Sequence, residues 1–286
     1  MSLRTLVSAQ ELAALRERGG LLVVDARFDL ADAGKGEREH AAAHIPGAVY
    51  AHLDRDLSDL SKHARGRHPL PDDTAFSATL SHWGWTREQD VVIYDDANGA
   101  LAAARLWWLL RLAGHERVAV LDGGLAAWRI AGLPLESGAV RCEPALAEVV
   151  LDRAHVVWFD ELERRLAARD IVLLDARAAP RYRGEVEPLD PVAGHIPGAL
   201  NRPYSANLDG AGCFKKPAEL RHEFDALRKD KAAADIVHMC GSGVTACHNL
   251  LAMEHAGLTG SRMFAPSWSG WVSDATRPVE RGDGAD

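Results

Sequence analysis

The feature that most constrains the fold is an internal repeat with a period of about half the chain. The apolar run at residues 21–27 returns at residues 171–177, and both copies end in Asp-Ala-Arg. The five residues His-Ile-Pro-Gly-Ala occur at positions 44–48 and again at 195–199. A repeat this long corresponds to a structural unit that is used twice. The chain of 286 residues is therefore predicted to form two domains of one fold.

Each copy alternates strand-like runs with helical segments. The runs at 21–25, 91–95 and 236–240 are almost continuously apolar, which is typical of parallel strands buried on both faces. Strands that alternate with helices of about a dozen residues form βαβ units. We predict an α/β fold with two tandem domains, each a parallel sheet with helices on both faces.

The domain boundaries follow from a change in local composition. Pro134 and Pro144 interrupt a stretch with a weak helical pattern, as is common in linkers between domains. We expect a first domain at residues 1–140, a linker at 141–154 and a second domain at 155–286.

Both copies also carry a predicted helix start ahead of the first long strand. Ser8 is followed three residues later by Glu11, and Asp160 is followed by Glu163 in the same way. This spacing allows a side-chain oxygen and a carboxylate to bond the unpaired N–H groups at a helix N-terminus. We therefore expect Ser8 and Asp160 to cap their helices.

Composition excludes several classes of function. The net charge is −8 and both halves are acidic, so the chain is not expected to bind nucleic acid. The longest apolar stretches, such as residues 106–110, are far shorter than the roughly 20 residues of a membrane span. Residues 1–7 lack the apolar core of a secretion signal, so we expect a cytoplasmic protein without membrane association. The four cysteines lack zinc-site spacing, and we expect no metal.

The two copies differ at one chemically decisive position. Alignment of the repeats places Asp95 of the first copy against Cys240 of the second, each at the carboxyl end of a predicted strand. Ligands of open α/β sheets bind at this edge. The residues after Cys240 read Gly-Ser-Gly-Val-Thr-Ala, a tight loop that leads into a helix and can direct backbone N–H groups inward. Those donors favour a thiolate, so Cys240 is the candidate nucleophile.

The motifs together resemble the tandem-domain rhodanese sulfurtransferases. The resemblance rests on both His-Ile-Pro-Gly-Ala segments, both Asp-Ala-Arg strand ends, the tryptophan-bearing C-terminal segments and the Cys-Gly-Ser-Gly-Val-Thr-Ala loop. It extends over nearly the whole chain, and the loop is similar to that of the 3-mercaptopyruvate sulfurtransferase branch. The first domain then lacks the nucleophile and has a structural or substrate-framing role.

The resemblance implies a double-displacement reaction without a cofactor. Cys240 would take a sulfur atom from 3-mercaptopyruvate or thiosulfate as a persulfide, and a thiol such as thioredoxin or glutathione, or cyanide, would then accept it. Backbone N–H groups of the loop, at Gly241, Gly243, Val244 and Thr245, would bind the anionic sulfur.

The choice of donor depends on arginines outside the loop. In the thiosulfate branch the loop resembles Cys-Arg-Lys-Gly-Val-Thr, whereas this chain has no cation at the two positions that follow Cys240. The mercaptopyruvate branch uses two arginines to bind the donor carboxylate, and Arg181 matches the first. The second is missing, because the family's Glu-Pro-Arg is Glu187-Pro188-Leu189 here. Arg183 is the candidate replacement by proximity, with a solvated surface charge as the alternative.

The resemblance also implies a proton relay through Ser242, His68 and Asp54. A histidine oriented by a carboxylate suits that role. Simpler alternatives are that Ser242 only donates to the persulfide, that His68 is a capping or surface residue, and that Asp54 belongs to a solvated acidic run.

Two other functions fit the same fold. Cysteine phosphatases and arsenate reductases need an arginine six residues after the cysteine, and Ala246 stands there instead. A dedicated persulfide carrier for a protein partner remains the stronger alternative, because the nucleophile is retained.

Overall fold

The computed structural model describes Leu3 and residues 5–284, which form two compact units. The first unit contains the chain up to Asp59, Leu70–Asp152 and Ala211–Cys213. The second contains Leu60–Pro69, Arg153–Gly210 and the chain from Phe214 onwards. The segment Leu60–Pro69 therefore groups with the second unit, although the sequence placed it in the first domain.

The first unit contains five strands and six helices among the residues that the structure describes. The strands are β1 (Leu6–Val7), β2 (Leu21–Asp25), β3 (Val49–Tyr50), β4 (Asp90–Tyr94) and β5 (Val118–Leu121). The helices are α1 (Ala9–Arg18), α2 (Lys35–Ala42), α3 (Leu53–Asp56), α4 (Asp73–His82), α5 (Ala102–Leu112) and α6 (Gly124–Ile130).

The second unit repeats this alternation. Its strands are β6 (Val156–Val157), β7 (Val172–Asp175), β8 (Leu200–Asn201), β9 (Ile236–Met239) and β10 (Arg262–Phe264). Its α-helices are α7 (Phe159–Ala168), α8 (Ala179–Tyr182), α9 (Pro217–Arg228), α10 (Ala246–His255) and α11 (Ser267–Trp271). Short 3₁₀ helices occur at Arg153–His155, Tyr204–Asn207 and Ala233–Asp235.

The two sheets have the same topology. The strand order is β1-β5-β4-β2-β3 in the first unit and β6-β10-β9-β7-β8 in the second, and all paired strands are parallel. The registers also correspond, since Asp25 pairs with Tyr94 and Asp175 pairs with Met239. The predicted tandem α/β fold with parallel sheets is confirmed.

Each unit has its own hydrophobic core, which includes a tryptophan that is hydrogen-bonded to the chain a few residues further on. Trp128 is fully buried, and its indole N–H donates to the Pro134 carbonyl at 2.8 Å. In the second unit the indole N–H of Trp271 donates to the Pro278 carbonyl at 2.9 Å. The same donor therefore fixes the same turn in both copies of the repeat.

A buried ion pair lies at the carboxyl end of β2 in the first unit and of β7 in the second. Arg27 contacts Asp25 at 2.5 Å and Arg177 contacts Asp175 at 2.6 Å, with both carboxylates fully buried. Each guanidinium also donates to the carbonyl that precedes a His-Ile-Pro-Gly-Ala segment, at 2.8 Å in the first unit and 2.7 Å in the second. The repeated Asp-Ala-Arg motif thus connects a strand end to the repeated turn.

The predicted helix starts have different outcomes. Ser8 forms the expected capping box with Glu11, which confirms the first. The second expectation is wrong, because α7 begins at Phe159 after Trp158, and no side chain caps it. Asp160 lies inside the first turn, where its charge favours the positive helix end without bonding a terminal N–H group.

Within Leu3 and residues 5–284, no helix combines the length and the apolar character that a membrane span requires.

Removal of the Arg177 guanidinium should destabilise the protein strongly. Arg177→Ala leaves the Asp175 carboxylate buried without its ion-pair partner, at an expected cost of about 3–5 kcal/mol in the free energy of unfolding. Arg183→Ala is the matched control, because this arginine pairs with Glu185 at the surface and should contribute no more than about 1 kcal/mol. Urea unfolding measures both values, and equal losses would contradict the structural role of Arg177.

Candidate active site

Cys240 lies between β9 and α10, at the carboxyl edge of the second sheet. Its side chain is buried, with 1% of the residue exposed. The backbone N–H of Gly243 donates to the Cys240 sulfur at 3.2 Å. The N–H of Cys240 itself donates to the Ser267 hydroxyl at 3.2 Å. The thiol thus faces a loop N–H donor within a site that largely excludes water.

The loop after Cys240 turns back on the sulfur because one of its glycines has a left-handed backbone. Gly243 has φ of +78°, a conformation that side chains disfavour. Gly241 has an ordinary φ, and its carbonyl accepts a bond from the Ser269 N–H at 2.9 Å. Val244 is buried and Thr245 precedes the first turn of α10. The structure places the Gly243 N–H against the sulfur, whereas binding roles for the other loop residues stay predictions.

A turn from the end of the chain supports this loop. Ser267 is fully buried with φ of +53°, and its hydroxyl donates to the Phe264 carbonyl at 3.1 Å. The N–H of Trp268 donates to the Cys240 carbonyl at 3.0 Å. These bonds hold the start of α11 against the loop, so the strained backbone at Ser267 serves to position the cysteine.

The structure brings Ser242 and His68 together. Nδ1 of His68 lies 2.8 Å from the Ser242 hydroxyl oxygen, and both side chains are buried. Both residues belong to the second unit, because His68 lies on Leu60–Pro69. Asp54 lies on α3 of the first unit. A relay that includes all three residues stays a prediction.

Arg181 and Arg183 have different surroundings. Arg181 lies at the end of α8, is 19% exposed and binds Glu187 through Nε and Nη2, at 3.2 and 2.6 Å. Although burial acts to raise the pKa of Glu187, the bond from Arg181 holds that pKa below its usual value. Arg183 binds Glu185 at 2.7 Å and is more exposed than Arg181. Its other ion-pair partner is Asp283, at 3.9 Å, and the role of Arg183 in donor binding stays a prediction.

Sequence reasoning missed Arg67. This residue precedes His68, and its guanidinium forms an ion pair with the buried Asp190. A Cβ atom placed on Gly241 would lie 3.0 Å from Arg67 Nη2 and 3.5 Å from both terminal nitrogens of Arg181. The available signal was a glycine between two arginines immediately before His68, but the chain gives no local indication of what that segment contacts.

The first unit has an aspartate where the second has Cys240, the candidate nucleophile. Asp95 follows β4, is fully buried and accepts bonds from four backbone N–H groups. These donors belong to Ala97, Gly99, Leu101 and Ala103, at 2.9, 2.7, 3.3 and 3.4 Å. Burial raises the pKa of Asp95 to about 6, although the backbone bonds act in the opposite direction. The repeat therefore keeps an anion-binding loop in the first unit and fills it with its own carboxyl group.

The remaining cysteines have no bond to one another. Cys142 and Cys213 are partly exposed, and Cys247 is fully buried with its sulfur 3.5 Å from the Gly243 carbonyl. Among the described residues, no three His, Cys, Asp or Glu side chains are grouped closely enough to hold a metal ion.

Comparison with known proteins gives the same two-part division. The rhodanese-like domain family matches residues 8–131 and 159–274, one stretch for each copy of the repeat. The chain belongs to the rhodanese family. Its tandem arrangement and its relatives place it in the 3-mercaptopyruvate sulfurtransferase branch, as the sequence motifs predicted.

Two relatives illustrate the similarity of this rhodanese to curated proteins. It is 47% identical to "Probable 3-mercaptopyruvate sulfurtransferase" of Pseudomonas aeruginosa, over 99% of this chain and 100% of that protein. It is 32% identical to thiosulfate sulfurtransferase of Bos taurus, over 95% and 93% of the two chains. Sulfur transfer is the activity common to both names.

A solved structure supports the same family assignment. The crystal structure of the 3-mercaptopyruvate sulfotransferase SseA from Escherichia coli superposes with a TM-score of 0.79 at 31% identity. The match covers 93% of this chain and 99% of that one. The tandem rhodanese is therefore a sulfurtransferase by family, fold and full-length identity.

The carboxyl group of Asp95 should make stability depend on pH. Its pKa in the folded protein, about 6, is above the ordinary value of 3.8, so the folded state takes up a proton at higher pH than the unfolded state. Stability from this group therefore increases as the pH falls from 7 towards 4. Relative to Asp95→Asn, the wild type should gain about 2 kcal/mol of unfolding free energy between about pH 7 and pH 4.5. Parallel pH profiles in urea unfolding would contradict the buried titration.

Proposed function

We propose that the protein transfers a sulfur atom from 3-mercaptopyruvate or thiosulfate to a thiol or cyanide through a persulfide on Cys240. The observation that carries the proposal is the bond from the Gly243 N–H to the Cys240 sulfur at the buried edge of the sheet. A preorganised N–H donor stabilises negative charge on sulfur before and after the transfer. The names of the relatives support the choice of donors.

The reaction consists of two displacements at sulfur. The Cys240 thiolate attacks the outer sulfur of thiosulfate, the S–S bond of the donor breaks, and sulfite leaves with the electron pair. With 3-mercaptopyruvate the C–S bond breaks, and the electron pair remains on the enolate of pyruvate, which takes up one proton. An acceptor thiolate or cyanide then attacks the outer sulfur of the persulfide and releases Cys240 as the thiolate. Covalent catalysis of this kind divides one transfer into two easier steps.

Ser242 and His68 provide a route for the proton that the pyruvate enolate requires. The Ser242 hydroxyl lies two residues from the nucleophile and 2.8 Å from His68 Nδ1. A hydroxyl paired with an imidazole can deliver a proton and recover it from solvent. Asp54 would orient the imidazole in the full relay. Sulfite needs no such proton when it leaves thiosulfate, so the relay would distinguish the two donors.

The persulfide on Cys240 requires a nucleophile that attacks its outer sulfur. We propose a thiol such as that of thioredoxin or glutathione, or cyanide, as this acceptor. The four cysteines form no disulfide, and partly exposed thiols such as Cys213 persist best in a reducing compartment. We therefore place the enzyme in the cytoplasm.

Incubation with each donor should add one sulfur atom to the protein at Cys240. Intact-mass measurement is expected to detect this gain in the wild type and in Cys213→Ser, whose cysteine lies in the first unit. Cys240→Ser should gain no sulfur from either donor. A wild type that remains unmodified by both donors, or a Cys240→Ser variant that still gains sulfur, would overturn the proposed function.

Loss of the Ser242 hydroxyl should affect one donor selectively. Ser242→Ala is expected to lower kcat with 3-mercaptopyruvate on the order of 100-fold, because the enolate then lacks its proton donor. The rate with thiosulfate should change little, and His68→Gln should show the same selectivity. Steady-state release of pyruvate and of sulfite measures both reactions. An equal loss with both donors would instead assign Ser242 to loop structure.

A further inference from the structure

Two arginine side chains meet above the loop that carries the nucleophile. Arg67 pairs with Asp190 and directs Nη2 towards Gly241, where a Cβ atom would be only 3.0 Å away. Arg181 pairs with Glu187 through Nε and Nη2, and its Nη1 lies 3.5 Å from the same point. A side chain at residue 241 would be in tight contact with Arg67 and in ordinary van der Waals contact with Arg181. The cations thus occupy the space beside the residue that follows Cys240.

The position of Arg67 compensates for a departure of this chain from the family pattern. The expected second arginine is replaced by Leu189, whose side chain is 46% exposed. The next residue, Asp190, is 4% exposed and binds Arg67. It also lies 3.4 Å from Arg181 Nη2. A cation from the Leu60–Pro69 segment therefore reaches the cluster from which the local arginine is missing.

Several contacts fix the segment that carries Arg67. Its backbone N–H donates to the Ser269 hydroxyl at 3.0 Å. The preceding Gly66 has φ of +93°, and a Cβ atom there would lie 2.5 Å from the Pro266 carbonyl oxygen. One residue earlier, the Arg65 guanidinium lies 5.1 Å from the centre of the Trp158 ring. Arg67 is therefore held in place before any ligand binds, which reduces the entropic cost of binding.

The charges around the two arginines suit a small oxyanion. Glu187 and Asp190 are both nearly inaccessible and balance the two cations, so the cluster is stable without a ligand. Two guanidinium groups that converge on one point can donate several charge-assisted bonds to a carboxylate or a sulfonate. The loop itself has no cation at Gly241 or Ser242, so the positive charge beside Gly241 comes from residues outside the loop.

We propose that Arg67 acts with Arg181 to bind the oxyanion group of the sulfur donor, and that Arg67 replaces the second arginine of the family pattern. The inference rests on the proposed sulfur transfer and assigns the donor-binding site within it. In 3-mercaptopyruvate the carboxylate is separate from the C–S bond that breaks, so loss of the Arg67 contact weakens binding of that donor more than it slows the chemical step.

The test compares Arg67→Gln with Arg38→Gln. The first variant should raise KM for 3-mercaptopyruvate at least ~10-fold while kcat changes much less, because a charge-assisted contact to the donor is lost. Arg67→Lys should retain part of the affinity, since it keeps the charge but not the bidentate geometry. Arg38→Gln removes an exposed arginine of the first unit that pairs with Asp32, and its KM should match the wild type. The same assay with thiosulfate shows whether the site serves both oxyanions.

A double variant separates loss of binding from disruption of the ion pair. Arg67→Gln leaves the Asp190 carboxylate without Arg67, and Arg67→Gln with Asp190→Asn removes both charges. If KM stays raised in the double variant, the arginine itself binds the donor. Recovery of the wild-type KM, or an Arg67→Gln variant equal to Arg38→Gln, would overturn the assignment. Failure of the wild type to form a persulfide would instead refute the proposed function.

Discussion

The second unit depends on the buried ion pair between Asp175 and Arg177, because the other charged groups of the site are connected to it. Arg177 also lies 3.4 Å from Glu187, and Glu187 binds Arg181 at 2.6 Å. Arg181 also lies close to Asp190, and Asp190 pairs with Arg67. Buried charges are stable only when they are paired, so each member restricts the position of its neighbour. The network that stabilises the strand end therefore also places the arginines near the nucleophile.

The first unit contains the equivalent buried ion pair but has no cysteine at the position of Cys240. Asp25 and Arg27 form the equivalent buried pair, so the scaffold needs that interaction whether or not the unit is catalytic. Asp95 occupies the position of Cys240 and accepts the backbone N–H groups of its own loop. A carboxyl group can fill an anion-binding loop, but it cannot form a persulfide. The first unit therefore has no thiol at the position of Cys240.

Local patterns predicted local structure well, and errors arose where neighbouring segments decide the outcome. The capping box at Ser8 formed because both partners lie within one turn. The similar spacing at Asp160 formed no cap, because α7 begins two residues earlier than the pattern required. The role of Arg183 was inferred from its closeness in sequence and stays a prediction, whereas the structure places Arg67 beside Gly241, 174 residues further along the chain. Sequence separation says nothing about such a contact.

The sequence by itself determined the duplication, the parallel α/β fold and the position of the nucleophile. Continuous apolar runs, repeated turns and a glycine-rich loop after a strand predict these properties. Each of these patterns depends on only a few neighbouring residues. Only the tertiary structure decided that His68 meets Ser242 and that Arg67 joins Arg181. Those pairs form because Leu60–Pro69 packs with the second unit, where Gly66 has a left-handed backbone and lies close to the Pro266 carbonyl. The hydrophobic pattern of the sequence does not predict such a contact.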